Sequence, residues 1–155
     1  MLSDDVYRSR LEAAIAGLRY WVPTVFDVAR VSESEGAGYW KIAVEPHAAH
    51  ACPFELVLRA DQRHDFVVAG EVFEDLPTKS LDVFVPLATA IAEGRVVQCH
   101  WRSAATGVES AVETVIYLAD GREWSSAHMR NSFANEHPDA VIATQRHFVP
   151  YHRRR

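Results

Sequence analysis

Between Arg95 and Ser126 apolar and polar residues alternate in short runs, broken at Ala104–Gly107 and again at Asp120-Gly121. An Asp-Gly pair between alternating runs is among the best local signals for a hairpin. The tight two-residue turn needs positive φ at both central positions, and Asp and Gly tolerate it best. Three strands follow, about 95–102, 110–119 and 122–128, joined by short connections as an antiparallel meander. This pattern constrains the fold more than any other part of the chain.

The rest of the chain is read around it. Ser3-Asp4-Asp5 opens a helix, a capping hydroxyl followed by acids that the helix dipole favours. Leu11, Ala14, Ile15 and Leu18 recur at helical spacing, and the helix should end at 17–20, before Pro23. Val25–Val31 reads as a strand and 32–38 as an acidic, glycine-rich loop. Trp40, Ile42 and Val44 alternate against Lys41 and Glu45, marking a half-buried strand that Pro46 stops. Residues 54–60 and 66–73 read as two more strands, joined by the four-residue loop 61–64. Residues 80–93 read as a helix capped by Ser80 and stopped by Gly94, with Pro86 in conflict because it removes a hydrogen bond. A turn at His137-Pro138-Asp139 and a last strand over 141–149 complete the pass.

The fold class is α+β: a mostly antiparallel sheet of six or seven strands, with an N-terminal and a central helix packed on one face. At 155 residues, 48% of them apolar, the chain reads as one domain over 1–145 followed by a basic tail, 146–155. That tail carries four arginines and no acid, so a net charge of −5 for the whole leaves −9 on the first 145 residues. A body that acidic repels phosphate backbones and is not expected to bind nucleic acid. The acidic start lacks the basic and apolar segments of an export signal. The longest apolar run, 83–92, is far short of the ~20 residues a membrane helix needs. Two cysteines do not make a disulfide framework. A cytosolic protein with reduced thiols is expected.

Few groups suggest chemistry. His47, His50 and Cys52 share one loop, and imidazole with thiolate could hold zinc, a fourth ligand coming from His64, His100 or His128. Their spacing matches no standard zinc signature. Cys52 as a nucleophile would need an orienting base, and none is visible beyond His50. Cys99 and His100 are neighbours on a strand and point to opposite faces, so they cannot form a dyad. Cys99 is expected inward with Val97 and Trp101, and His100 outward with Gln98 and Arg102. The acids Glu71, Glu74, Asp75, Glu109 and Glu113 read as solvated strand ends, because nothing in their spacing forces convergence. Trp124 alternates with Arg122, Ser126 and His128, a polar company for a large ring. With Trp21, beside Pro23, it marks a candidate interaction surface including His128.

The leading expectation is a non-catalytic binding module, engaging a protein partner or a second copy of itself. The competing one is a metal-dependent enzyme or small-ligand-binding protein centred on the 47–52 loop. Catalysis itself is left open.

Overall fold

The computed structural model describes residues 2–130 and 141–152. The turn expected at His137–Asp139 and the terminal Arg153–Arg155 lie outside them.

Helix α1 spans Asp4–Trp21, with Ser3 at its N-cap and Asp4 and Asp5 in its first turn. Its inward stripe carries Tyr7, Leu18 and Trp21. A short 3₁₀ turn, Val22–Thr24, ends it, and Pro23 stands at the start of that turn, where its missing N–H costs nothing. Gly17 lets α1 approach its neighbour: a Cβ there would sit 3.1 Å from Val85 Cγ2.

Five strands follow in a plain meander: β1 Ala29–Gly36, β2 Tyr39–Pro46, β3 Phe54–Arg59, β4 Arg63–Val68 and β5 Glu71–Pro77. Their alternation turns Trp40, Ile42, Val44, Phe54, Leu56, Leu58, Phe66 and Phe73 into one core shared with the helices. Two expectations need correction here. The strand expected over 25–31 begins only at Ala29 and runs through the supposed loop to Gly36. β1 lies at the sheet's edge with most of its residues exposed, so ladder hydrogen bonds hold it without any apolar alternation. The single strand expected over 66–73 is folded in two at Ala69-Gly70, both at positive φ (53° and 83°), the two-residue hairpin turn. Apolar residues on both sides of that turn hid it.

The conflict at Pro86 resolves by position. A 3₁₀ turn, Leu81–Val83, is capped by Ser80 Oγ accepting from the Asp82 N–H at 3.3 Å. Helix α2 then runs Phe84–Ala92, placing Pro86 in its first turn, where no intrahelical donor is lost. Gly94 stops α2 at φ 77°, and a Cβ there would meet Pro150 N at 2.7 Å. The same glycine therefore ends the helix and lets the C-terminal chain cross it.

The last four strands form a separate antiparallel sheet: β6 Val96–Ser103, β7 Glu109–Tyr117, β8 Glu123–Met129 and β9 Val141–His147, in the order β8-β7-β6-β9. The meander of β6, β7 and β8 is as expected. Its second turn is wider than the Asp-Gly reading: only Gly121 has positive φ, and Leu118 N–H bonds to the Arg122 carbonyl across the loop. Strand β9 returns to pair with β6 along seven positions. Among the described residues, nine strands in two sheets thus replace the six or seven expected, within the same α+β class.

The position expected to open a basic tail, Arg146, lies inside β9. Beyond it Phe148 and Tyr151 are buried. Tyr151 N–H bonds to the Ala92 carbonyl at 2.8 Å, and its hydroxyl donates to the Cys52 carbonyl at 2.5 Å. The chain to His152 is stitched across the end of α2.

Candidate functional site

The two faces of the C-terminal sheet have opposite characters, and their assignment reverses the sequence-based one. Val96, Gln98, Thr114 and Ile116 are buried on one side, whereas Val97, Cys99 and Trp101 are only half-buried on the other. The more polar alternate set faces inward because the β4–β5 hairpin brings it partners. Gln98 Nε2 donates to the Ala69 carbonyl at 3.2 Å and to Thr114 Oγ1 at 3.2 Å. No buried side-chain polar atom is left unpartnered among the described residues.

Trp124, Trp21 and His128 sit inside this arrangement. Trp124 stands edge-on between Phe66 and Phe73, ring centroids 5.0 and 5.3 Å away. His128 stacks on Phe73 at 4.4 Å, and its Nε2 lies 2.6 Å from the Val72 carbonyl, donating to it. Trp21 is buried, its ring 6.0 Å from Phe54. These three residues join layers of the molecule to one another.

Two of the acids do converge, where solvated strand ends were expected. Glu71, only 6% exposed, pairs with the Arg130 guanidinium. Arg130 Nε also reaches Glu109 at 3.0 Å, and Glu109 in turn meets His100 Nδ1 at 2.5 Å. Both carboxylates are therefore engaged by cationic donors, a seam between sheets and not an acid–base pair held apart in a pocket. The sequence carries no local sign of it, since 59 residues separate Glu71 from Arg130.

The 47–52 loop divides its three candidates. His47 and His50 are exposed, His50 at φ 67°, while Cys52 is fully buried. Burial pushes the Cys52 thiol up to about 12, so at neutral pH it is a thiol and not a nucleophile. Among the described residues no group of three or more His, Cys, Asp or Glu is placed to hold a metal ion. The further ligands considered are also committed elsewhere: His64 Nδ1 to Thr78 Oγ1 at 2.8 Å, His100 to Glu109 and His128 to Val72. A shallow hollow of about 410 Å³ crosses the outside of the first sheet, lined by Arg30, Ser32, Glu45, Glu55 and Val67. Its polar side chains all reach solvent, over the buried Val44 and Phe54.

What stands out is the outer face of the C-terminal sheet. Register places Val97 beside Val115, Cys99 beside Glu113 and Trp101 beside Ala111 on the two central strands. Flanking them are Ser125, Ala127 and Met129 on β8 and Ala143, Gln145 and His147 on β9. Of all these only Ala111 is buried; Met129 is 70% exposed, and Tyr117 at the rim 46%. The face carries a single carboxylate at its centre, Glu113. Comparison of the chain with family models, curated proteins and solved structures finds no match to any of them.

Proposed function

We propose that the protein is a non-catalytic binding module that associates through the outer face of its C-terminal sheet. The observation that carries this is the band of half-exposed Val97, Cys99, Trp101 and Val115 extended to solvent-facing Met129. A contiguous apolar patch of this kind costs solubility in an isolated molecule and is typical of a docking surface. A net charge of −5 over the whole chain keeps such a protein in solution and biases it away from nucleic acid. Both cysteines are free, which fits a reducing, cytosolic setting.

The test is sedimentation velocity or light scattering from micromolar to near-millimolar concentration. Association that rises with concentration is expected. Val115→Glu should weaken it by at least about tenfold, as a charge placed in an interface centre does. The matched change Val57→Glu, on the outside of the first sheet, should leave it unaltered. A particle that stays monomeric throughout would remove self-association from the reading.

A further inference from the structure

We infer that the occupant of this face is a second copy of the chain, packed sheet on sheet about a two-fold axis that runs along the strands. The inference rests on the binding reading above and adds the partner and its orientation. Such an axis, lying midway between β6 and β7, sets β6 of each protomer over β7 of its partner.

The residues in register then meet in a complementary way. Val97 lies over the partner's Val115. Trp101, the largest ring on the face, lies over the partner's Ala111, a small side chain and the one already buried. At the flanks exposed Met129 lies over the partner's Ala143, and Ser125 over the partner's His147. Large side chains fall on small ones, as close packing of two sheets requires.

Charge selects the axis. With the two-fold turned across the strands and centred on the Cys99 row, Glu113 would face the partner's Glu113, two carboxylates in a drying interface. With the axis along the strands Glu113 faces the partner's Cys99, whose S–H is a donor. The two Glu113 carboxylates are then offset by one strand spacing, ~4.8 Å, instead of meeting head on.

Size sets the strength. Four strands at ~4.8 Å and seven residues at ~3.4 Å give a flat footprint of about 450 Å² per copy. That is below the ~800 Å² per partner of a standard stable interface. The dimer should accordingly be concentration-dependent, populated in the micromolar range.

Cys99 supplies a native probe. In this packing the two Cys99 side chains point toward each other across a sheet gap of ~10 Å and are offset by one strand spacing of ~4.8 Å. Cys52 does not compete for reagent, since its thiol is buried and stays protonated. Treatment of the native protein with a short, ethylene-bridged bismaleimide should give a covalent dimer that Cys99→Ser abolishes. Trp101→Ala should cut the yield at least about fivefold by removing the central anchor. Met129→Lys, at an exposed flank, should do so without touching the fold, and circular dichroism checks both variants.

A dimer seen by light scattering that only a longer reagent links would overturn this packing while leaving the binding reading in place. Joining two copies edge to edge through β9 predicts that result, with the Cys99 pair at least ~14 Å apart on the same side of one continuous sheet. A monomer by scattering, with no linkage by either reagent, would overturn this packing and remove self-association with it, leaving the binding reading only a partner of another kind.

Discussion

The two sheets of this molecule are built by the same antiparallel logic and present opposite exteriors. Outside the first sheet, charges are interleaved and paired: Lys41 with Glu55 at 3.7 Å, Arg59 with Asp65 at 3.6 Å, Arg63 with Asp75 at 2.6 Å. At its β1 edge Glu33 accepts from Trp40 Nε1 at 2.7 Å and from Arg19, which holds its carboxyl below the usual range. Surface pairs of this kind add little stability but keep a sheet from pairing with others. The second sheet departs from that plan: Gln98 is buried inside, where Ala69 of the first sheet's hairpin accepts from it, while Val97, Cys99, Trp101 and Val115 face outward. One sheet is finished as a charged surface, and the other leaves half-buried apolar residues facing outward, the face proposed above as an interface.

The sharpest way to break this contrast is to dissolve the contact that turns the second sheet's polar side inward. Trp124→Ala empties the slot between Phe66 and Phe73 and should cost about 3 kcal/mol of unfolding free energy, given a half-buried ring, measured by urea denaturation. Arg130→Met leaves Glu71 buried without its cation and should cost about 2 kcal/mol, discounted because Arg130 itself is partly solvated. Glu71→Gln in the same chain should restore part of that loss, because the orphaned charge is gone.

Smaller effects separate the sheets by proton. Burial holds the His64 imidazole below its ordinary value of 6.5, so the unfolded chain binds the proton more readily. Stability should therefore be full above pH 6.5 and fall as pH drops below it. His64→Gln should flatten that slope in melting curves recorded from pH 7 to 5. The thiols behave in the opposite sense. Cys52 is raised from 9.0 to about 12, so its contribution is present below pH 9 and lost on rising through 12. At neutral pH one thiol, Cys99, should react with an aromatic disulfide reagent in the native state, and the second only after unfolding. The smallest effect expected is from zinc: with His47 and His50 exposed and Cys52 buried, its addition should leave the melting temperature unchanged. A stabilisation that His47→Ala with His50→Ala removes would revive the metal reading.

Much of the fold was legible because it is written locally. Helix α1 shows its stripe, Gly94 its stop, and β2, β3 and the β6–β8 meander their alternation and turns. β1 was misplaced because an edge strand can be polar throughout, and the Ala69-Gly70 turn was hidden because apolar residues continue on both sides of it. The candidate site was legible in part. Val97, Cys99 and Trp101 were recognised as one face, and the most apolar face was taken to be the covered one. The seam of Glu71, Glu109, Arg130 and His100 left no mark at all, since it joins strands far apart in the chain.

The alternation of residues along β6 and β7 by itself established that these strands have two unlike sides and that each belongs to an antiparallel sheet. Which side meets the rest of the protein was decided only by tertiary structure. A period of two records that neighbours point apart, whereas the direction of burial depends on which side finds hydrogen-bond partners and rings to pack on. Here Ala69, Phe66 and Phe73 arrive from a different sheet, and they turn Gln98 inward and Trp101 out.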